Sequence, residues 1–400
     1  MASITPNVVV SPQVTRLTES LIELRRTLHQ WPELGFQEQH TSALVAERLR
    51  AMGIEVRTGV AQTGVLGILR GSGEGKTVLL RADMDALPIE EASGVPYASK
   101  NCGVMHACGH DGHTAILLTV ARVLAQCRQQ FSGTVKFAFQ PAEELPPGGA
   151  KAMIGAGILE NPRVDTAFGL HLWNGLPVGK IGIDNGPIMA SVDRFAIVIK
   201  GVGSHGAYPH TGIDPIVIGS HVVAALQTIV SREMPPLAPV VVTIGRFQGG
   251  TAFNVIPSQA ELSGTVRTID ARIREEMPDR IERIVRGVTS GMRAEFSFKY
   301  AFGYPVTVND VNKAQFAREV ARRIVGDANV VAAGMTMGAE DMSYFLEAVP
   351  GCYLRLGSGN PDLGLNHPHH SAFFNFDETA LPIGVELLTQ LTLAYLSERD

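Results

Sequence analysis

Charge is scarce in this chain. Asp, Glu, Lys and Arg make up only 18% of its 400 residues, below the roughly 25% usual for soluble domains, which excludes a solvated, disordered polymer. Basic runs are absent and the formal net charge is −5, which argues against a nucleic-acid partner. Cysteine is rare: Cys102, Cys108, Cys127 and Cys352, irregularly spaced, make neither a disulfide framework nor a CxxC metal knuckle. No apolar run approaches the ~18 residues of a membrane span, and the stretch 115–125 is broken by Arg122. The start, MASITPNVVVSPQ, lacks a basic segment followed by an apolar core, so no secretory leader is expected. Together these absences lead to the expectation of a cytoplasmic protein without membrane attachment.

What is present is apolar bulk and imidazole. Apolar residues reach 45%, enough for large cores, and the length suits two or three domains. The 42 Gly and 23 Pro are dispersed rather than run together, and there is no repeat or low-complexity segment. Against the 4 Cys stand 12 His, many for a chain otherwise short of polar groups.

Apolar periodicity predicts helices over 14–28 and 41–52, then strands over 64–70 and 77–83 joined by the turn GSGEGK. A helix over 114–127, a strand over 134–140, a helix over 149–159 and a strand over 166–172 continue the alternation. This order implies an α/β layer architecture, a mixed central sheet flanked by helices. Near Met189 the pattern changes to strand (195–199), helix (214–230), two strands (240–247 and 261–268), helix (271–292) and strand (296–301). That β-α-β-β-α-β order is ferredoxin-like. After Tyr304 the α/β pattern resumes with a helix over 312–325, a strand near 353–356 and a last helix over 381–396. The expected organisation is a discontinuous catalytic-type domain, 1–189 and 305–400, interrupted by an inserted α+β domain, 190–304.

Two glycine motifs fail as nucleotide signals. GSGEGKT at 71–77 would need Gly at position 70, where Arg70 stands, and it reads as a hairpin turn. GVGSHG at 201–206 comes after a strand but opens no helix, since Pro209 and Gly212 break the next turn. GxSxG and HExxH are both absent.

The segment Met105-His106-Ala107-Cys108-Gly109-His110-Asp111-Gly112-His113 packs one Cys and three His into eight residues just before a helix. Singly, each fits a core or capping residue; at this density, thiolate plus imidazole points to Zn²⁺ or a neighbouring transition metal. Further ligands suit strand ends, where α/β sheets present chemistry. Glu143 and Glu144 come after the strand over 134–140, and Asp83 and Asp85 end the strand over 77–83. His171 closes the strand over 166–172, and His367, His369 and His370 lie near the C-terminus. Adjacent carboxylates are useful because one can bind metal while the other takes a proton from water; alone, Glu-Glu is an ordinary solvated loop.

MHACGHDGHT, QPAEE with GGAKAMI after it, GLHLW, the His-His-Ser segment and the inserted domain together resemble the metal-dependent aminoacylase/carboxypeptidase family. Within it the likeness is to the N-acyl-amino-acid amidohydrolases of the hippurate hydrolase and indole-acetyl-amino-acid hydrolase type, and it runs from Leu28-His29 to the final helix. The resemblance implies two divalent metals (Zn, Mn, Co or Ni) in a metallopeptidase-like catalytic domain beside a lid. Cys108 would bridge the metals, with His110 and Glu144 completing one site and His171 and His370 the other. Glu143 would be the general base, and Asp83 and Asp85 would support the ligands. In the lid, His205 would stabilise the oxyanion, and Asn254 and Arg267 would bind the substrate carboxylate. Arg267 equally fits a surface charge on an alternating strand. The family's usual His-x-Pro-x-aromatic reads His370-Ser371-Ala372-Phe373-Phe374 here, which leaves His369 as an alternative ligand. The implied reaction is hydrolysis of the amide in an N-acyl or N-aroyl amino acid, with a carboxypeptidase or dipeptidase as the alternative. A homodimer or higher homo-oligomer through the lid is a further expectation of the resemblance. His29, His40, His210 and His221 are not expected to need a functional explanation.

Overall fold

The computed structural model describes residues 8–398; the first seven residues of the stretch read for a secretory leader lie outside the described residues. The chain opens with α1 (Pro12–Thr15), α2 (Thr18–Gln30) and α3 (Gln39–Ala51). Next come β1 (Glu55–Val60), β2 (Gly64–Arg70), β3 (Thr77–Asp83), α4 (His110–Gln126) and β4 (Thr134–Gln140). The first part ends with α5 (Gly149–Gly155), β5 (Thr166–Pro177) and β6 (Ile181–Gly182). An insertion comes next: β7 (Asp193–Lys200), β8 (Ser204–His205), α6 (Pro215–Thr228), β9 (Val240–Gly249), β10 (Val255–Ile256), β11 (Gln259–Thr268), α7 (Ala271–Gly291) and β12 (Glu295–Phe302). The chain then returns through α8 (Val311–Val325), β13 (Val330–Val331), α9 (Met342–Ala348), β14 (Gly351–Gly359) and α10 (Ala380–Ser397).

Two compact units result. The first takes the chain up to Gly186, Val308–Gly334 and the stretch from Asp341 onward; the second takes Pro187–Thr307 and Met335–Glu340. The excursion at 335–340 has no counterpart in the sequence pattern. It is tied to the second unit through the Ala190 N–H, which lies 3.1 Å from the Thr336 carbonyl and 2.9 Å from that of Gly338.

The first unit is built on an eight-stranded mixed sheet in the order β1-β2-β4-β3-β5-β14-β6-β13. The neighbours β4, β3, β5 and β14 run parallel, while β1, β2 and β4 pair antiparallel. Every residue of β3 and β4 is buried, as strands covered on both faces must be. The parallel register sets Asp83 opposite Gln140, so the segments bearing Asp85 and Glu143-Glu144 leave the sheet at the same edge. Helix α4 packs against α2 and α10 and over β3. It is buried along most of its length, which explains why it is apolar nearly all round.

The start of α4 lies earlier than its periodicity suggests. Gly109 (φ 90°) is the N-cap, and His110 is already helical rather than preceding the helix. Gly112 is required by a close approach: a Cβ there would stand 2.5 Å from Leu172 Cδ1 and 2.9 Å from Phe376 Cζ. The single helix expected over 14–28 is two, because Arg16 and Leu17 form a turn between α1 and α2.

The second unit has a four-stranded antiparallel sheet, β9-β11-β7-β12, which is the ferredoxin-like order. Alternation along β7 buries Phe195, Ile197 and Ile199, as a sheet with one covered face requires. Met277, Ile281 and Val285 of α7, four residues apart, join them in one core. Two helical stretches, Pro215–Glu233 and Ala380–Ser397, reach the length and mean hydropathy of a membrane span, although neither contains the long unbroken apolar run sought in the sequence. The second of these is largely buried and serves as the core helix α10.

Candidate metal centre

Where an imidazole at the strand-end edge meets a backbone carbonyl, its tautomer is settled, because a carbonyl can only accept. His110 Nδ1–H donates to the Asp85 carbonyl at 2.9 Å, which leaves the Nε2 lone pair facing inward. That nitrogen is buried and has no hydrogen-bond partner among the described residues. His171 Nδ1–H donates to the Leu172 carbonyl at 2.6 Å, and its Nε2 lies 3.5 Å from Cys108 Sγ. Burial holds His171 well below the usual histidine range, so it is neutral and offers a lone pair. Backbone carbonyls in this role orient ligating imidazoles.

Cys108 Sγ draws ligand atoms from both sides. It groups with His110 and His171 within 4.8 Å, and with Glu144 and His370 within the same limit. A third group joins His110 to Glu143 and Glu144. His370 Nε2 stands 3.1 Å from Glu144 Oε1, and His110 Nε2 stands 4.0 Å from the same oxygen. That Glu144 oxygen is buried, with His370 as its near neighbour. His110 is thus within reach of both His171 and Glu144, the second being the pairing that the resemblance implies, and Glu144 is within reach of both His110 and His370. Cys108 is common to both groupings.

The donor set fits a cation. Burial, and then the carboxylates of Glu144, Glu143 and Asp83, push the Cys108 thiol well above its ordinary range. A cation held here would reverse that balance and favour the thiolate form of the sulfur. Burial also opposes ionisation of Glu144, but His370 and His110 outweigh it and hold this carboxyl below its usual value. His110 Nε2, buried with no hydrogen-bond partner among the described residues, is costly in a protein interior unless it has a partner of this kind.

His369, the alternative to His370, has its Nε2–H committed to the Leu172 carbonyl at 2.9 Å, and burial pushes its pKa down to about 4. His370 occupies a left-handed backbone conformation (φ 67°), and its N–H is anchored to the Ala107 carbonyl at 2.8 Å. Its side chain is half exposed and turned to Glu144. His113, which groups with Asp83 and His110, has both ring nitrogens engaged: its Nδ1–H donates to Asp83 at 2.6 Å and its Nε2 accepts the Leu172 N–H at 2.9 Å.

Asp83 and Asp85 hold the surroundings rather than the centre. Asp85 accepts the N–H groups of Glu143 (3.0 Å) and Glu144 (2.9 Å) on its two oxygens. Burial raises Asp83, yet Arg81, His110 and His113 lower it further and keep it ionised. Arg81 is itself buried, ion-paired with Asp83 at 2.6 Å and Asp341 at 2.8 Å, and donates to Gln140 at 2.8 Å. Sequence reasoning assigned no role to Arg81 or Asp341; the available signal was an arginine inside the apolar strand VLLRAD. It also set aside His29, which is buried between Asp111 (Nδ1, 2.8 Å) and Glu91 (Nε2, 3.2 Å). Arg25 completes that network at 2.8 Å from Asp111, on the first turn of the helix that carries His110. His106, nearby, is buried with neither ring nitrogen partnered among the described residues, and burial pushes it down to about 3.

The other three candidates lie in the second unit. His205 pairs with Val255 across the β8–β10 ladder, and the Gly206 N–H donates to the Asn254 carbonyl at 2.8 Å. His205 and Asn254 therefore share one corner, both exposed. The His205 Nδ1 accepts the Ala207 N–H at 3.0 Å. Arg267 stands on β11, half-buried, donating to the Met337 carbonyl at 3.0 Å; burial lowers its pKa.

A family profile described as peptidase family M20/M25/M40 matches residues 79–394. An N-acyl-L-amino acid amidohydrolase from Geobacillus stearothermophilus is 48% identical over 296 residues, covering 74% of this chain and 80% of the relative. Thermostable carboxypeptidase 2 from Saccharolobus solfataricus is 43% identical, covering 93% of this chain and 94% of its own. The crystal structure of a dinuclear metal-binding peptidase of the M20 family from Bacillus subtilis superposes with a TM-score of 0.84 at 38% identity. It covers 96% of this chain and 99% of that one.

Proposed function

The chain belongs to peptidase family M20/M25/M40, and on that premise we propose that it hydrolyses the amide bond of N-acyl or N-aroyl amino acids with two divalent metal ions. The observation that carries this reading is the shared sulfur. Cys108 lies in two three-residue donor groups at once, with the Glu143 carboxylate in a third group alongside. Cys108, His110, His171, Glu144 and His370 would hold the ions, and their mixed S, N and O donors suit Zn²⁺, Mn²⁺, Co²⁺ or Ni²⁺. When bound, the ions supply Lewis acidity that polarises the amide carbonyl and acidifies water.

The remaining work falls to side chains of this chain. Glu143, fixed through its own N–H to Asp85, takes the proton of the attacking water and delivers it to the leaving amine nitrogen. His205 donates to the oxygen that gains charge as the carbonyl carbon becomes tetrahedral. Arg267, with Asn254, binds the carboxylate of the amino-acid half; a planar guanidinium fork suits that group.

Replacing Glu143 by Gln removes the base and leaves the ligand set intact. Turnover of a hippurate-like substrate is expected to fall about 10³-fold, with metal content by mass spectrometry unchanged. Near-normal turnover in the metal-loaded variant would refute the assignment. The carboxypeptidase relative supports a second reading in which the same centre cleaves free-amine peptides. Kinetics on N-acetyl, N-benzoyl and indole-acetyl amino acids beside dipeptides separate the two.

A further inference from the structure

Between α2 and α3, the segment 33–38 has no part in the chemistry above, yet it touches both loops that carry the site's carboxylates. The Glu33 carbonyl accepts the Ala86 N–H at 2.8 Å, one residue beyond Asp85, and Leu34 forms a parallel bridge with Ala86. Gly35 lies so close to the second loop that a Cβ there would stand 3.0 Å from the Ala142 Cβ and 3.1 Å from its Cα. Glu38 then reaches across, fully buried. One of its oxygens accepts the Ala142 N–H at 2.9 Å and the other takes the Thr63 hydroxyl. Although Glu38 is the N-cap of α3, its side chain makes no capping hydrogen bond among the described residues. Starting the helix therefore does not explain why a carboxyl is buried here.

Ala142 does. It holds φ 54°, a left-handed conformation that a residue with a Cβ keeps only when its surroundings impose it. From this corner the chain runs directly into Glu143 and Glu144, whose N–H groups bind Asp85. Three consecutive backbone donors are thus held by two buried carboxyls from different parts of the chain. We propose that Glu38 is a positioning residue: by binding the Ala142 N–H it holds the left-handed corner that aims Glu143 for proton transfer. Burial pushes the Glu38 carboxyl up to about 7, so a neutral side chain of the same shape can make both of its hydrogen bonds. Gln offers a carbonyl to Ala142 and an amide N–H to the Thr63 oxygen.

The inference rests on Glu143 as the base, and a double-mutant cycle tells the two apart. Glu38→Ala is expected to lower kcat about 10- to 100-fold, the scale of a small misplacement of a reacting group, with KM within about threefold. Glu38→Gln should restore kcat to within about threefold of wild type, because acceptor geometry rather than charge is at stake. In a Glu143→Gln background, adding Glu38→Ala should cost less than about twofold more. A wild-type kcat in Glu38→Ala, a Gln variant as slow as the Ala variant, or a full additive loss in the double mutant overturns the proposal while leaving Glu143 as the base. Wild-type turnover in Glu143→Gln overturns both. Should Glu38→Ala not fold, Thr63→Val removes only the second hydrogen bond of Glu38. It is expected to lower kcat about threefold or more with an unchanged melting temperature, and an unchanged kcat overturns the proposal.

Discussion

In the first unit, Cys108, His110 and His171 are buried, and each imidazole has its outer nitrogen fixed on a backbone carbonyl. In the second unit, His205 and Asn254 are exposed at a two-strand corner tied by backbone hydrogen bonds. Arg267 is half-buried there and holds a single carbonyl. The difference suits the roles proposed for the two sets. Metal ligands must meet at fixed distances, and burial in a low-dielectric network makes displacement expensive. Groups that meet a substrate gain from staying hydrated and adjustable until it arrives.

The contrast can be broken most severely at Arg81. Arg81→Met would leave Asp83 and Asp341 buried without their cation, and breaking a buried pair in this way costs roughly 3–5 kcal/mol. Urea unfolding of the metal-free protein should show that loss. A change under about 1 kcal/mol would place Arg81 with the weakly coupled surface charges instead.

The next largest effect is on pH. The folded-state pKa of Glu38 is raised from 4.5 to about 7, by burial above all, so the native state binds a proton that the unfolded chain has released. Its contribution is fully present below about 4.5 and is lost as pH rises through about 7. Relative to Glu38→Gln, which does not titrate, wild type should lose on the order of 2–3 kcal/mol of stability across that window. A difference that stays flat from pH 4.5 to 8 would count against a buried, proton-holding Glu38.

The smallest effect belongs to the second unit. Arg267→Lys should raise KM about tenfold for a substrate with a free carboxylate, because an ammonium cannot reproduce the planar fork. Neither kcat nor the melting temperature should change by much. A large fall in melting temperature would show that Arg267 is as structurally committed as Arg81, and the contrast between the units would fail.

Much of the centre was legible because its residues are close in sequence or end a periodic element. The density of donors from His106 to His113 pointed to a metal, although only Cys108 and His110 of that run stand among the proposed ligands, and Glu143-Glu144, Asp83 and His171 each stand at the end of an apolar strand. Arg81, Asp341, Glu38 and the Arg25–Asp111–His29–Glu91 network were not legible. The partners that bury them lie far along the chain: 260 residues separate Arg81 from Asp341, and 104 separate Glu38 from Ala142. No local pattern distinguishes an arginine that will be buried from one that will be solvated. The start of α4 was placed too late for a related reason. Periodicity detects the apolar stripe, and the first turn of this helix is polar because it faces the centre rather than the core.

By itself, the sequence determined the two layer patterns, the insertion of one within the other, and which residue types could gather into a metal centre. Those rest on periods of two and of about 3.6 residues and on the chemistry of sulfur, imidazole and carboxylate. Only the tertiary structure decided which nitrogen each histidine presents, and that His113 and His369 are spent on hydrogen bonds while His370 faces Glu144. It also decided that a glutamate between two N-terminal helices holds the corner before Glu143. These are matters of distance between segments remote in the chain, and they come into being only when the parallel strands bring their carboxyl ends to one edge.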